Sequence, residues 1–238
     1  MKKIFLAAVA VVLLLAACSD DDYHYPSVRL EFLTATTGSD GRLQSVKTDA
    51  GQSFAVLEDA SDIHATPDTL LRIVANYEQQ TAEGVKLYAT AGAISPLPRP
   101  AESFKEGVKR APAVVTSIWQ GLDYLNIILS IKAQNKQHSL GFVEEADSID
   151  TATGQRVVHL SLYHDDNHDV QAYSRRVYAS VPLQKYIKEE GGNTLLLYFS
   201  LITYDGTEQC YFLNGGFTTT ALSFRPRMST QISVPTLL

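Results

Sequence analysis

The chain has 238 residues, of which 45% are hydrophobic and 19% are charged, a composition typical of a folded protein and not of a disordered one. The formal net charge is −6 at pH 7, and it becomes −8 (18 basic against 26 acidic residues) when Lys2 and Lys3 are removed with an export signal. Because an acidic chain repels phosphate backbones, we expect no nucleic-acid partner.

The N-terminus predicts export followed by lipid attachment. Two lysines precede an apolar run over residues 4–15, which is too short to span the roughly 30 Å hydrocarbon core of a bilayer. Residues 15–18, Leu-Ala-Ala-Cys, resemble the bacterial lipobox, in which the cysteine is acylated and becomes the new N-terminus. We therefore expect a lipoprotein signal peptide over residues 1–17 and lipid on Cys18. The alternative is an ordinary cleaved signal peptide with a chance cysteine.

The residues after the cysteine predict where in the cell envelope the lipoprotein is delivered. Ser19, Asp20, Asp21 and Asp22 form an acidic run that cannot pack, so residues 18–26 are predicted to be a solvated tether. The run also resembles the signal that exports lipoproteins to the outer face of the outer membrane in some Gram-negative groups. We expect an outer-membrane, surface-exposed protein that reaches the membrane through its lipid anchor, although an acidic spacer would have the same composition.

Strands with period-two alternation follow, separated by turn residues, and they predict an all-β protein. Five strands are expected in the first part of the chain, with Gly and Asp turns after the first and second strands. Three hairpin-linked strands, a longer connection and two more strands predict a small OB-type Greek-key barrel over residues 27–93. The expected strands lie at residues 28–32, 43–46, 53–57, 69–77 and 85–91.

A proline-rich segment predicts a boundary. Pro96, Pro98 and Pro100 lack amide hydrogens for a sheet ladder, so residues 94–104 are predicted to be a stiff linker. Beyond it, longer strands, a short helix over residues 183–190 and a hairpin turn at Asp205-Gly206 predict an antiparallel β-sandwich over residues 105–238. The clearest strand patterns there are at residues 125–131, 158–162, 177–181 and 195–204.

The layout resembles the NigD-like lipoprotein family. The resemblance is carried by the lipobox with its acidic tail, residues 28–34 (VRLEFLT), the turn at residues 49–51, the strands at residues 70–77 and 85–91, and the proline linker. It implies an N-terminal OB-type domain with a C-terminal β-sandwich. It also implies a link to bacteriocin immunity, with which the founding member is associated by gene context.

One polar cluster raises the question of metal binding. His164, Asp165, His168 and Asp169 are weak candidate ligands, and alternate Asx residues imitate the start of a calcium-binding EF-hand loop. Position six of that loop should be glycine and is Val170, and position twelve should be glutamate and is Arg176. We expect no metal and no cofactor, and an exposed polar loop at this position.

Catalytic signatures are missing from the sequence, and we expect no enzymatic activity. The acidic pairs Glu144-Glu145 and Glu58-Asp59 are adjacent on predicted strands, so their side chains should point to opposite faces. Trp119 and Cys210 are expected in apolar surroundings. The favoured hypothesis is a non-enzymatic binding module for a protein or glycan, acting through loops at residues 61–68 and 164–173. The alternatives are a surface carbohydrate-binding accessory lipoprotein and a metal-dependent hydrolase.

Overall fold

A computed structural model describes residues 27–187 and 195–214, and nearly all of the regular secondary structure in this part of the chain is β-strand. The predicted all-β class is confirmed. No helix among the described residues is long and apolar enough to cross a membrane. The signal peptide, the tether with Cys18 and Asp20 to Asp22, and residues 188–190 of the predicted helix lie outside the described residues.

The first five strands close into a barrel in the order β1-β2-β3-β5-β4, with β4 pairing back onto β1. All neighbouring pairs are antiparallel except β3 and β5, so the OB-type barrel is confirmed. Alternate residues such as Leu33, Ala35, Ile73 and Tyr77 fill its interior and are fully buried. The strands are β1 (Arg29–Thr37), β2 (Leu43–Thr48), β3 (Ser53–Asp59), β4 (Leu70–Gln79) and β5 (Gly84–Gly92).

The remaining strands form two sheets that enclose a second core. One sheet has the order β13-β12-β10-β9-β6 and the other the order β11-β8-β7, and Leu125, Leu160 and Phe199 lie buried between them. The predicted sandwich is confirmed, although β10 and β12 pair in parallel. Its strands are β6 (Arg99–Pro100), β7 (Val114–Gln120), β8 (Tyr124–Ala133), β9 (Ser139–Ile149), β10 (Arg156–Asp165), β11 (Tyr173–Pro182), β12 (Leu195–Ile202) and β13 (Glu208–Asn214).

The proline-rich segment differs from the predicted linker because it pairs with the sandwich. Ile94 exchanges backbone hydrogen bonds with β11, donating to Tyr178 and accepting from Ser180. Arg99–Pro100 then adds a short parallel strand to the edge of β9. Proline is tolerated at such an edge, since its missing N–H faces away from the ladder.

Downstream, α1 (Gln184–Ile187) falls within the predicted helix, and the turn at Asp205-Gly206 is confirmed, with Gly206 at φ 81°.

A buried arginine joins the barrel to the sandwich. The side chain of Arg72 leaves the outer face of β4 and is 2% exposed. Its Nε donates to Ser180 Oγ (2.9 Å) and its Nη2 donates to Asn126 Oδ1 (3.0 Å), both on the sandwich. On the barrel, Nη2 also pairs with the Asp49 carboxylate at 2.6 Å, and Nη1 donates to Thr34 Oγ1 at 3.1 Å. Each donor-bearing nitrogen of the guanidinium therefore has a partner, as burial of a cation requires.

Aromatic rings surround this arginine and exclude water from it. The guanidinium of Arg72 lies 4.0 Å from the ring centre of Tyr124. Phe32 packs edge-on against Trp119 and Tyr178 of the sandwich, at 5.4 and 5.9 Å between ring centres. Trp119 therefore belongs to the interface between the domains and does not line an exposed groove, so it gives no support to the carbohydrate-binding alternative.

The turn between β2 and β3 docks against the turn between β7 and β8. Leu122 donates its backbone N–H to the carbonyl of Asp49 at 3.2 Å. A Cβ on Gly121 would lie 2.5 Å from the Asp49 carboxylate, which Arg72 holds in place. Only glycine allows this approach, so the two turns fix the orientation of the domains together with the arginine.

Replacing Arg72 with Met should destabilise the protein, because the Asp49 carboxylate would lose its partner inside the interface. Removal of one member of a buried ion pair costs about 3–5 kcal/mol. Urea unfolding followed by the fluorescence of Trp119, the single tryptophan, measures the loss at the interface itself. The matched control is Arg42→Met, whose exposed pair with Asp62 at 4.0 Å should contribute about 0–1 kcal/mol. Equal, small losses in both variants would contradict the assignment.

Candidate interaction site at the loop end of the sandwich

Three connections meet at one end of the sandwich, and we call them the loop rim: residues 134–138, 166–172 and 203–207. Lys136 Nζ in the first donates to the carbonyls of Asn167 and His168 in the second, at 2.9 and 3.0 Å. Tyr204 in the third accepts the backbone N–H of Lys132, at 2.6 Å. The first two loops are therefore bonded directly to each other, and the third contacts the end of β8 from which the first loop leaves.

Asp169 fixes the conformation of the first two loops. Its carboxylate accepts the backbone N–H groups of Gln134 (2.6 Å), Asn135 (3.2 Å) and Val170 (2.9 Å), and its side chain is 3% exposed. These donors stabilise the ionised carboxylate and hold the pKa of Asp169 well below its usual value, although burial opposes them. The aspartate thus links a loop on β8 to a loop on β10.

Two histidines extend this link into the sandwich. His164 Nδ1 lies 3.0 Å from the carbonyl of Ala111, which can only accept, so His164 carries its hydrogen there. Burial lowers the pKa of His164, so the ring is neutral and its Nε2 accepts from His138 Nδ1 at 2.9 Å. His138 Nε2 in turn lies 3.3 Å from the Asp169 carboxylate. The side chain of His138 is therefore buried between the His164 ring and the Asp169 carboxylate.

The tip of the second loop adopts a backbone conformation that most residues avoid. Asn167 and His168 have φ of 51° and 54°, and Asp165 and Asp166 stabilise them by accepting the backbone N–H groups two residues ahead. After this turn the chain presents Val170 and, at the start of β11, Tyr173, which are 61% and 67% exposed. The positive φ angles of Asn167 and His168 are strained, and such strain persists only where surrounding contacts enforce it.

The structure separates the four weak metal candidates. His164 ends β10 inside the sandwich, Asp169 is held by backbone amides, Asp165 caps the turn, and His168 is exposed. The described residues contain no group of three or more His, Cys, Asp or Glu side chains able to hold a metal ion. The expectation of a solvated loop is wrong for His164 and Asp169, whose buried contacts come from His138 and its neighbours, residues remote in sequence.

Other predicted candidates are each engaged in local contacts. Glu144 accepts from Tyr186 and pairs with Lys185, whereas Glu145 pairs with Arg110, so this acidic pair does point to opposite faces. Glu58 pairs with Lys86. The expectation of apolar surroundings is wrong for Cys210, which is an exposed free thiol on β13; partial desolvation and the nearby Glu208 carboxylate raise its pKa. The polar loop at residues 61–68 belongs to the barrel, where it bonds to the turn between β1 and β2.

Comparison with known proteins gives matches over most of the described chain. The NigD-like C-terminal beta sandwich domain matches residues 96–214, a range that begins within the predicted linker. The crystal structure of a NigD-like immunity protein from Bacteroides caccae ATCC 43185 is 38% identical, with a TM-score of 0.67, and the match covers 79% of this chain and 93% of that one. The curated proteins searched contain no match.

Two further solved structures share the fold at low sequence identity. A protein of unknown function from Bacteroides vulgatus ATCC 8482 is 18% identical, with a TM-score of 0.63 and coverage of 84% of this chain and 97% of that one. A protein from Bacteroides fragilis NCTC 9343, proposed to be a lipoprotein, is 12% identical, with a TM-score of 0.57 and coverage of 79% and 98%.

Replacing Asp169 with Asn should loosen the rim, because the amide has one oxygen where the carboxylate has two. We expect amide hydrogen exchange at Gln134, Asn135 and Val170 to accelerate by about ten-fold or more at neutral pH. The control is Asp165→Asn, where the amide oxygen can still accept the single turn bond.

The loss of stability caused by Asp169→Asn should also depend on pH. Folding holds the pKa of Asp169 below its unfolded value, so the carboxylate stabilises the native state fully above about pH 4. That contribution is lost as the pH falls toward the folded-state value. The difference in melting temperature between the wild type and Asp169→Asn should therefore shrink on acidification. A difference that grows at low pH would contradict this account.

Proposed function

The chain belongs to the NigD-like family, and from that premise we propose that it is an outer-membrane lipoprotein that acts by binding a partner protein, without catalysis. The lipid anchor and surface location are supported by the lipobox at Cys18 and the acidic run Asp20 to Asp22. A β scaffold tethered in this way presents its loops to molecules outside the cell.

The loop rim is the observation that carries the binding role. Two large apolar side chains are exposed here: Val170 in the loop whose backbone the Asp169 carboxylate fixes, and Tyr173 next to that loop at the start of β11. Exposure of apolar groups is unfavourable in an isolated protein, and a preorganised loop loses little conformational freedom on binding. Both properties favour stoichiometric recognition of a protein surface.

Immunity to a bacteriocin is the narrower form of the proposal. The relative from Bacteroides caccae, 38% identical, is described as an immunity protein. The same role in this chain would make the bound partner a toxin protein, captured at the cell surface before it reaches its target. Identification of the captured partner therefore tests the narrow and the general form in one experiment.

Truncating the exposed apolar residues of the rim should weaken partner capture. In the double variant Val170→Ser and Tyr173→Ser we expect about ten-fold lower capture, as for loss of an interfacial anchor, with little change in stability. The measurement is affinity capture from intact cells with the tagged, full-length lipoprotein, quantified by mass spectrometry. The matched control is Leu70→Ser, which removes an apolar side chain that is 71% exposed on the barrel. Undiminished capture by the rim variant would place the binding site elsewhere.

Replacing Cys18 with Ala should release the protein from the membrane, because the sulfur that would carry the lipid is removed. Labelling of cells with an alkyne fatty acid and separation of membranes from soluble protein measure both consequences. The control is Cys210→Ala, which removes the other cysteine of the chain and should leave labelling intact. Fatty-acid labelling that persists in Cys18→Ala would show the anchor assignment to be wrong.

A further inference from the structure

The three-stranded sheet of the sandwich is the basic part of an acidic protein. Strands β7, β8 and β11 contain Lys132, Arg175 and Arg176 and not one aspartate or glutamate, in a chain with a net charge of −6. The strands of the facing sheet contain five carboxylates and only two basic residues, Arg99 and Arg156. The two sheets of the sandwich therefore differ in charge.

The cations of this sheet lie beside the loop rim on a face that the barrel leaves open. Ile131 is buried in the core, as Val177 largely is, so their neighbours Lys132 and Arg176 point outward. The barrel covers the other half of the face through Tyr178, Ser180 and Asn126.

The open half also supplies hydrogen-bond donors between the cations. Ser174 lies opposite Lys132, and Arg176 lies opposite Ser130. Among the described residues, neither Lys132 nor Arg176 forms a salt bridge, and Lys136 and Arg175 donate only to backbone carbonyls. We call Ser130, Lys132, Ser174 and Arg176 the basic face.

We propose that the basic face binds an acidic segment of the partner protein, directly beside the apolar contacts of the loop rim. The inference rests on the proposed function and adds the chemistry of the partner to it. Lys132 Nζ lies 4.7 Å from the ring centre of Tyr204, and neither this ammonium nor the Arg176 guanidinium is neutralised by a carboxylate among the described residues. Exposed cations next to serine hydroxyls offer charge and hydrogen bonds to carboxylates, and complementary charge steers association and fixes its register.

A protein segment fits this face better than an extended anionic surface does. At physiological salt an exposed charge acts over about 8 Å, so a short acidic segment experiences mainly the cations next to it. A bilayer or a nucleic acid would extend beyond the face and meet the negative charge of the rest of the molecule. The acidic tether of the chain itself, Asp20 to Asp22, is a possible competitor that an experiment can separate.

Fluorescence anisotropy with a labelled peptide of ten residues, alternating glutamate and threonine, tests the proposal on the unlipidated chain from Ser19. We expect binding that weakens on adding salt, and about ten-fold weaker binding when glutamine replaces glutamate in the peptide. The double variant Lys132→Gln and Arg176→Gln should lose binding to a similar degree. The matched control Lys47→Gln and Lys105→Gln removes the same charge from two other exposed lysines and should retain it.

Four results of the binding measurements would overturn the inference. They are equal binding of both peptides, an equal loss in both double variants, preferential binding to vesicles of anionic phospholipid, and tighter peptide binding when Asp20, Asp21 and Asp22 are replaced by Ala. The last would show that the tether already occupies the face. Partner capture distinguishes this inference from the proposed function. If capture is lost in the Val170 and Tyr173 variant but kept in the Lys132 and Arg176 variant, the proposed function stands and only this inference is wrong.

Discussion

The guanidinium of Arg72 is hydrogen-bonded by both domains of the protein, and the orientation of one domain relative to the other depends on these bonds. Removed from water, it requires Asp49 from the barrel together with Asn126 and Ser180 from the sandwich. Rotation of one domain against the other would break the bonds from the Arg72 guanidinium to Asn126 and Ser180 and leave only its partners within the barrel. These bonds therefore join the barrel to the sandwich, and the proline-rich segment that pairs with β11 and β9 reinforces the connection.

A second buried charge lies at the loop end of the sandwich. The Asp169 carboxylate and the two histidines apply the same principle locally, because a buried charge is satisfied by groups from separate loops. At both sites the buried charge is stable only in the one arrangement that supplies its hydrogen-bond partners. The exposed Val170, Tyr173 and basic face then lie on a preformed surface, which is what recognition of a protein partner requires.

Most of the strands could be predicted from the sequence because their residues alternate between a core and an outer face. The role of Arg72 could not, since its place on the outer face of β4 predicts exposure until the second domain covers it. The link between His138 and Asp169 was missed for a related reason. The two residues are 31 positions apart on different loops, and nothing local marks either as buried. Strand β9 was also missed, because its charged second half hides the alternation that its apolar start would show.

In the proposed function the protein binds its partner through the loop end of the sandwich. Crosslinking in living cells tests this location most directly. A photoreactive phenylalanine analogue placed at Tyr173, and separately at Leu70 on the barrel, leaves the scaffold contacts intact since both positions are exposed. The account predicts that irradiation of cells yields one discrete crosslinked protein from position 173 and none from position 70. A discrete product from position 70 alone, or the same products from both, would contradict it.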